Sequence, residues 1–435
     1  MLLNIEKLIY GGDGLARLQA DDRGRGKAVF VPFVLAGEKI EAALTEEKPG
    51  FARAYAEAIV EPSPHRVSPP CAYFARCGGC HYQHATYEHQ VEIKKEILRE
   101  NLRRIAKLEL QREIEAHPSP PWNYRNRSRL QVRTRPEFAA GYFKFASHEL
   151  LPVEECPISS ALINRGIAAL WKSGRAGQGV EGVREVEFFA NADDTKMFVE
   201  FLCAPEARRA AVRAWAEELC ALMPEIAGVA AFREPQKGVQ EPLVAVGATD
   251  LTYQASICQT STATYRVSAG SFFQTNRFLT SGLIDIVTAG RAGELALDLY
   301  AGVGLFSTAL GCNFRHIVSV ESSQTAADDL QYNLQGNGKA VRASADQYLA
   351  GKAALPMDKP DLVVVDPPRS GLGDSVARAL ASLAAPRVTY VSCDPATLAR
   401  DLVPLLAAGY GVERVHMVDL FPQTYHLESV LELVR

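Results

Sequence analysis

The final third of the chain alternates short apolar runs with helix-forming segments, and this alternation limits the possible folds more than any other feature. The runs at 295–299, 316–320, 361–365 and 388–391 are mostly apolar, and the last three are rich in β-branched residues. Such runs are typical of strands buried on both faces of a parallel sheet, whose strands are joined by crossover helices. Residues 266–435 are therefore predicted to form an α/β domain with its chemistry at the carboxyl ends of the strands.

One of these strand ends carries a cysteine, Cys393. The run 388–391 predicts a buried strand, and Pro395 suits the first turn of a helix over 396–406. Because a helix N-terminus carries partial positive charge, we expect it to lower the pKa of this thiol below its usual ~8.5 and to favour the nucleophilic thiolate. A buried cysteine is otherwise a small core residue, so its role depends on the motifs around it.

Polar residues and glycines also follow earlier strands. Gly302 and Gly304 let the backbone approach a ligand, and Glu321 lies about twenty residues beyond the turn, where it can bind ribose hydroxyls. A dinucleotide-binding fingerprint would need a third glycine at position 307, which is Ser307. The turn alone fits both dehydrogenases and S-adenosylmethionine methyltransferases.

The residues after the strand predicted at 361–365 favour a methyltransferase over a dehydrogenase. Asp366 and two prolines form a rigid turn that would hold a carboxylate over the pocket. Amino-group methyltransferases have an aromatic residue after a similar Pro-Pro pair, where this chain has Arg369, and cytosine-C5 enzymes usually have a Pro-Cys nucleophile on that strand. This chain instead offers Cys393 one strand later and Glu428 near its end.

Four other cysteines have a spacing that indicates a metal site. They are Cys71, Cys77, Cys80 and Cys156. Nine cysteines in 435 residues are too few for a disulfide scaffold, so clustering among them points to metal or catalysis. Three close thiolates, adjacent glycines and a proline after the last cysteine favour an iron–sulfur cluster. Structural zinc is the alternative, although it usually has paired short spacings at both ends of the site.

The first half of the chain is predicted to contain RNA-binding parts. Residues 1–62 have the short strands and turns of a small antiparallel barrel, and the proline-rich segment 61–70 is a linker to a central domain over 71–265. An amphipathic helix is predicted over 84–108. The strand that follows would project a set of arginines from one face, beside Trp122 and Tyr124: Arg125, Arg127, Arg129, Arg133 and Arg135. We expect this face to bind RNA phosphates.

Several motifs together resemble those of the RNA uracil-5 methyltransferase family. They are SFFQTN (271–276), DLYAGVG (298–304), DPPRSG (366–371), SCDP (392–395), HLES (426–429) and the four cysteines. Within this family the chain is similar to the 23S rRNA type, which combines an OB-like TRAM barrel with an iron–sulfur cluster. The resemblance covers essentially the whole chain.

This resemblance implies a Rossmann-like S-adenosylmethionine methyltransferase domain and a [4Fe–4S] cluster in the central α+β domain. It implies that the target base packs by Phe272 and that the helix within 84–115 packs on the catalytic domain. It also assigns contacts with S-adenosylmethionine to Gln274, Tyr300, Glu321, Asp366 and, by a looser match, Asp346.

The implied reaction begins with attack of Cys393 on uracil C6, since C5 is otherwise too weak a nucleophile, and Glu428 later removes the C5 proton. The substrate expected from the resemblance is 23S rRNA, and the alternatives are the T-loop uridine of tRNA, a non-catalytic RNA-binding protein and a zinc-dependent RNA chaperone. We expect no membrane association, no obligate protein partner and a cytoplasmic location. No apolar run approaches ~18 residues, and Glu6 and Lys7 interrupt the first apolar segment.

Overall fold

The computed structural model describes residues 1–18, 26–236, 239–258, 261–334, 336, 338–352 and 359–435. Within these residues the chain forms a six-stranded, a seven-stranded and an eight-stranded sheet and a separate hairpin. None of the described helices is both long enough and apolar enough to cross a membrane.

The N-terminal sheet has the order β1-β5-β6-β4-β3-β2. Its strands are β1 (Leu2–Asn4), β2 (Lys7–Leu8), β3 (Asp13–Arg17), β4 (Ala28–Pro32), β5 (Lys39–Glu47) and β6 (Phe51–Glu61). Small and β-branched side chains such as Ala16, Val29 and Ile40 fill its core. The prediction of an antiparallel barrel needs one correction, because β4 pairs with β6 in parallel.

A cysteine-containing loop leads from this sheet to helix α1 (Tyr87–Ile105) and the short strand β7 (Glu115–His117). Five of the apolar residues of the predicted face of α1 are buried, namely Val91, Ile93, Ile97, Leu98 and Leu102, whereas Ile105 is exposed. Lys94 is fully buried in the same helix, and it needs a charged partner to be stable there.

The central sheet is covered by two helices. Its elements are β8 (Arg127–Arg133), β9 (Ala139–Phe143), β10 (Leu150–Pro152), α2 (Ala161–Arg175), β11 (Val183–Ala190), β12 (Met197–Cys203), α3 (Arg209–Leu222), β13 (Ile226–Gln236) and β14 (Val239–Gly247). The strand order is β10-β9-β8-β11-β12-β13-β14, and Trp171 and Trp215 lie in the core beneath the helices.

The C-terminal unit begins with the hairpin β15 (Asp250–Ile257) and β16 (Ser261–Ser268), followed by α4 (Thr280–Thr288), β17 (Gly293–Leu299), α5 (Leu305–Leu310), β18 (Phe314–Glu321), α6 (Gln324–Asn333), β19 (Gly338–Arg342), α7 (Ala345–Lys352), β20 (Leu362–Val365), α8 (Gly373–Leu383), β21 (Arg387–Ser392), α9 (Pro395–Ala407), β22 (Gly411–Val418) and β23 (Glu428–Val434). Hairpin residues Tyr253 and Tyr265 share a core with α4 and α5, so this unit starts earlier than the predicted boundary at residue 266.

The eight-stranded sheet has the order β19-β18-β17-β20-β21-β23-β22-β7. Strands β19, β18, β17, β20 and β21 are parallel, and β23 is antiparallel to both of its neighbours. The chain order reverses at β17, which is where α/β sheets bind ligands at their carboxyl edge. Helix α1 packs against α9 in the core on one face of the sheet, so α1 and β7 belong structurally to this unit.

Candidate active site

Cys393 and Glu428 lie at the same end of two paired strands. Strands β21 and β23 are antiparallel, and their last described pair is Ser392 with Ser429. Cys393 follows Ser392 and Glu428 precedes Ser429, so the next pair in this register would be Cys393 with Glu428. The Ser429 hydroxyl donates a hydrogen bond of 3.0 Å to the Ser392 carbonyl oxygen, which fixes the two strand ends. The fold therefore brings both predicted catalytic residues together from distant motifs.

The predicted effect of helix α9 on the Cys393 thiol is wrong for this structure. Burial, followed by the carboxylates of Glu428 and Asp366, raises the pKa of Cys393 to about 12, and only Arg369 acts to lower it. The helix N-terminus is already occupied, because Asp394 Oδ1 accepts hydrogen bonds from the amides of Ala396 and Thr397 at 3.0 and 2.8 Å. A carboxylate cap offsets the partial positive charge that the prediction relied on.

Glu428 is a buried carboxyl group, with 4% of its surface exposed. Burial and the neighbouring Asp366 raise the pKa of Glu428 well above its usual range, while Arg369 opposes this shift. Its Oε1 atom has no hydrogen-bond partner among the described residues. A carboxylate with a raised pKa is a stronger base, so this side chain suits proton transfer.

Two aspartates extend this acidic cluster towards the glycine turn. Burial, and then Asp298, raises the pKa of Asp366 to about 7. Burial likewise raises the pKa of Asp298 to about 7, while hydrogen bonding to Ser307 opposes the shift. Arg369 is the cation that acts on both Cys393 and Glu428, and sequence analysis gave it no role. The DPPRSG motif could have pointed to it, since this arginine directly follows the Asp-Pro-Pro turn.

Next to the glycine turn lies a cavity of about 300 Å³, lined among others by Tyr300, Asp346 and Pro368. The neighbours of Glu321 on either side, Val320 and Ser322, also line the cavity. The Glu321 carboxylate is fixed by two backbone amides: Oε2 accepts from Gly302 at 2.9 Å and Oε1 accepts from Ser323 at 2.7 Å. Gly302 adopts a positive φ of 55°, so the chain turns tightly here. Tyr300 and Asp346 thus line one cavity, and the two chain neighbours of Glu321 line it as well; the assignment of these residues to a cofactor stays a prediction.

The segment 271–276 is held between the central and C-terminal units. The Ser271 hydroxyl donates to Asp329 Oδ2 at 2.8 Å, and the Asn276 side-chain amide donates to the Leu420 carbonyl oxygen at 3.1 Å. These contacts leave Phe272 63% exposed, whereas Gln274 is buried. An exposed ring on a fixed segment is suited to stacking on a base.

The prediction of a single RNA-binding arginine face is wrong for Arg125 and Arg127. Arg125 lies in the wall of the cysteine cavity and its Nε donates to the Arg127 carbonyl oxygen at 2.8 Å. Arg127 is buried, is paired with Glu187 and donates to the Ser271 carbonyl oxygen at 2.7 Å. Arg127 therefore helps to position the segment 271–276.

The remaining arginines of this face differ in their surroundings. Arg129 is exposed but contacts Glu187 at 2.6 Å, and Arg135 contacts Glu181 at 3.2 Å. Arg133 is exposed at the end of β8. Tyr124, which precedes this face in the sequence, is fully buried and donates to the Pro422 carbonyl oxygen at 3.0 Å. Arg129 and Arg133 thus remain accessible to a polyanion.

All four predicted metal-binding cysteines line one cavity of about 170 Å³. They are Cys71, Cys77, Cys80 and Cys156, and each is a free thiol. The Gly79 amide lies 3.4 Å from Cys77 Sγ, and Phe74 and Trp122 pack beside the cavity. Cys258 and Cys312 lie outside this group and form a disulfide between β15 and the loop after α5.

The cysteine loop contacts the segment 419–427, which connects β22 with β23 and ends next to Glu428. The amides of His81 and Tyr82, directly after Cys80, donate to the Gln423 carbonyl oxygen at 2.8 and 2.9 Å. Buried Lys94 from α1 pairs with Asp419 at 2.6 Å. The cysteine cavity and the candidate active site are therefore joined through this one segment.

The chain matches the family model described as tRNA (Uracil-5-)-methyltransferase over residues 86–435. It is 32% identical to the 23S rRNA (uracil(1939)-C(5))-methyltransferase RlmD of Chromohalobacter salexigens, with 100% of this chain and 89% of that protein covered. It is 31% identical to an uncharacterized RNA methyltransferase of Aquifex aeolicus, with 98% of this chain and 97% of that protein covered.

One solved structure has the same fold along the whole chain. It is the tRNA (uracil-54, C5)-methyltransferase of Pyrococcus abyssi in complex with S-adenosyl-L-homocysteine. The TM-score is 0.75 at 23% sequence identity, and the match covers 100% of both chains. This similarity extends through all three parts of the molecule.

Proposed function

The chain belongs to the tRNA (uracil-5-)-methyltransferase family, and we propose that it transfers a methyl group from S-adenosylmethionine to C5 of one uridine in 23S rRNA. The observation that carries this proposal is the position of Cys393 beside buried Glu428, at the carboxyl edge of the sheet and next to the cavity at the glycine turn. Support for 23S rRNA comes from the relative from Chromohalobacter salexigens, which has that substrate in its name. The match covers the full length of this chain.

A tRNA uridine is the second candidate substrate, because the family description and the similar structure from Pyrococcus abyssi both refer to tRNA. Mass-spectrometric mapping of 5-methyluridine in the rRNA and tRNA of a deletion strain distinguishes the two. We expect one 23S rRNA uridine to lose its methyl group and the parent gene, but not Cys393→Ala, to restore it. Loss from tRNA would favour the second candidate, and unchanged methylation of both RNAs would contradict the proposal.

The residues around the glycine turn fit S-adenosylmethionine, which supplies an electrophilic methyl group when bound. We assign the ribose hydroxyls to Glu321, whose carboxylate is held by two backbone amides. We assign the adenine end to the cavity between Tyr300 and Asp346. We assign Gln274 and Asp366 to the part of the molecule that carries the methyl group; Asp366 is close enough to Cys393 to act on the pKa of its thiol.

The proposed reaction starts from the Cys393 thiolate. Its sulfur forms a bond to uracil C6, and the electrons of the C5–C6 double bond move onto C5 and the carbonyl group. C5 then takes the methyl group, and the thioether S-adenosylhomocysteine would be left behind. Glu428 removes the C5 proton, the C5–C6 double bond forms again and the thiolate leaves. Arg369 stabilises the thiolate in the first step. Burial and three neighbouring carboxylates raise the pKa of Cys393, and the positive charge of Arg369 lowers it.

The target base has to leave the RNA stack before Cys393 can reach C6. We assign to Phe272 the stacking contact with this base or its neighbour, since its ring is exposed while the segment on either side is fixed. The N-terminal sheet over residues 1–62 is assigned, as a TRAM-like module, to RNA binding. Its Tyr10 reaches the Cys393 loop, so this module is close enough to act on RNA at the site.

We propose that Cys71, Cys77, Cys80 and Cys156 bind one [4Fe–4S] cluster. The size of the cavity supports a cluster over zinc, because a zinc ion held by four thiolates at about 2.3 Å needs much less than 170 Å³. Arg125 in the cavity wall offsets negative charge, and the Gly79 amide faces a sulfur atom. The cluster would stiffen the loop that holds Gln423, and through it the segment leading to Glu428.

A further inference from the structure

A second group of potential metal ligands lies at the far edge of the eight-stranded sheet. The short strand β7 pairs with β22 in parallel, with Glu115 opposite His416 and His117 opposite Val418. Because side chains alternate along a strand, Glu115 and His117 point to the same face as His416. The two histidines are 299 residues apart in the chain, so no local motif indicates this group.

The donor atoms are spaced almost as a tetrahedral metal site requires. His117 Nε2 lies 3.1 Å from His416 Nδ1, and Glu115 Oε2 lies 3.6 Å from His416 Nδ1. Two ligand atoms at about 2.0–2.1 Å from a tetrahedral zinc ion are about 3.3 Å apart. All three donor atoms lie within 4.8 Å of one another, so only small side-chain shifts are needed to bind an ion.

The groups behind these donors are arranged as in metal sites. The second ring nitrogen of His416, Nε2, faces Glu432 Oε1 at 3.4 Å, and Glu432 is buried and paired with Arg291. A carboxylate on the outer nitrogen fixes the tautomer that directs a lone pair from the inner nitrogen to a metal. Arg414 Nε lies 3.3 Å from Oε1 of Glu115, which leaves Oε2 directed towards the histidines.

We propose that Glu115, His117 and His416 bind one Zn²⁺ ion, with water as the fourth ligand on the exposed side of Glu115. Two imidazoles and one carboxylate are a ligand set that zinc takes, and the spacings of 3.1 and 3.6 Å fit the tetrahedral geometry that zinc prefers. The ion would hold β7, which is only three residues long, against β22. The chain after β7 contacts the segment 271–276, where Ser119 Oγ accepts from the Asn276 side-chain amide at 2.9 Å, so the ion would also stabilise that contact.

The test compares zinc binding by the full-length parent and variants. Each protein is purified without oxygen, treated with a chelator, loaded with Zn²⁺ and dialysed, and zinc and iron are measured per chain. We expect His117→Ala and His416→Ala to hold one zinc ion fewer than the parent, with unchanged iron. His316→Ala, which removes an exposed histidine from β18, should match the parent. Because the result is a difference, it does not depend on which metal the four cysteines bind.

Two further variants separate loss of a ligand from loss of the fold. Glu115 is exposed, so Glu115→Gln should melt at the parent's temperature without metal and yet lose the rise in melting temperature that Zn²⁺ gives to the parent. Glu432→Gln should weaken zinc binding by about 10- to 100-fold; because it also breaks the buried pair with Arg291, its zinc affinity is measured at a temperature at which thermal melts show the variant to be folded. If the parent and all these variants bind equal amounts of zinc, the two histidines only share a hydrogen bond and the proposal is wrong.

Discussion

The Tyr10 hydroxyl donates a hydrogen bond of 3.0 Å to the main-chain carbonyl oxygen of Cys393, although the two residues are 383 positions apart. The Tyr10 ring also packs edge-on against Tyr425, at 5.4 Å between ring centroids, in the segment that leads to Glu428. The N-terminal sheet thus contacts both sides of the proposed catalytic pair. A change in the position of this sheet can therefore reach the proposed nucleophile directly.

Replacing Tyr10 by Phe removes this hydrogen bond and keeps the ring contact with Tyr425. A hydrogen bond of this kind contributes about 0.5–1.5 kcal/mol, so we expect the single-turnover methylation rate to fall by up to about tenfold. Tyr55→Phe makes the same chemical change at an exposed site of the same sheet and should leave the rate unchanged. A Tyr10→Phe enzyme that reacts at the parental rate would show that the contact does not position Cys393.

Cys393 and Glu428 should have separable effects on the reaction. Cys393→Ala should still bind S-adenosylmethionine but form neither product nor a covalent RNA adduct. Glu428→Gln should allow attack and methyl transfer but stop before elimination, so methylated RNA linked to the protein should accumulate on denaturing gels. The parent should be trapped in the same way by RNA with 5-fluorouridine at the target, because fluorine at C5 cannot leave as a cation.

Thermal melting controls for the fold in these two variants. If both variants lose their stability together with their activity, the residues serve the structure and the assignment of roles fails. If Glu428→Gln turns over at the parental rate, the base is another residue, and Asp366 is the next candidate because its pKa is raised to about 7.

The four-cysteine site predicts a coloured protein. Anaerobically purified parent should be brown and carry four iron and four sulfide ions per chain, and Cys156→Ser should lose the colour. Cys220→Ser is a matched control, because Cys220 is a free, half-buried cysteine of α3 outside the site. One equivalent of zinc in these cysteines without visible absorbance would contradict the proposed cluster and favour the zinc alternative.

Substitutions of two arginines in strand β8 should have different effects, one on stability and one on RNA binding. Arg127→Ala breaks a buried pair with Glu187, so we expect it to lower the free energy of unfolding by about 3 kcal/mol in urea titrations. Arg133→Ala should leave stability unchanged but weaken RNA binding and reduce its salt slope by roughly 0.7–0.9. If Arg127→Ala is as stable as the parent, the buried pair is not structural.

The reason for this difference could not be found in the sequence around the arginines. The window from Lys94 to Arg135 has twelve basic and five acidic residues, and none of the acidic ones lies beyond Trp122. The partner Glu187 comes from β11, which pairs with β8, and the partner Glu200 comes from β12, on the far side of β11. These strands come together only in the folded chain. Strand pairing between distant segments decides the charge of this face, and periodicity within one strand does not reveal it.

The parts that sequence did predict depend on local patterns. Buried strands, their order of appearance and the residues at their ends follow from short motifs, and the resemblance to a family of RNA methyltransferases is confirmed. Asp394 was a missed local signal, since an aspartate before Pro395 is a typical helix cap. By contrast, His117 and His416 meet only through the pairing of β7 with β22, and nothing near either residue indicates the other.

The pH dependence of the reaction tests the state of the thiol. Burial and the neighbouring carboxylates raise the pKa of Cys393 to about 12, so the thiol is almost fully protonated between pH 6.5 and 8.5, which we choose as the assay range. Each unit of pH then increases the thiolate fraction about tenfold, and the raised pKa of Glu428 also favours its basic form at higher pH.

We therefore expect kcat/KM to rise at least about tenfold per pH unit over this range, because kcat/KM reports the ionisation of the free enzyme and the thiolate of Cys393 alone gives a tenfold rise. Arg369→Met should keep the slope but lower the rate at every pH, since it removes the cation that lowers the pKa of Cys393. Asp394→Asn replaces the charged cap of α9 by a neutral one. It removes a negative charge that raises the pKa of Cys393, so it should raise the rate at pH 6.5. A parental profile that is already flat near pH 7 would show that the thiol is ionised before RNA binds, as the uncapped helix would predict.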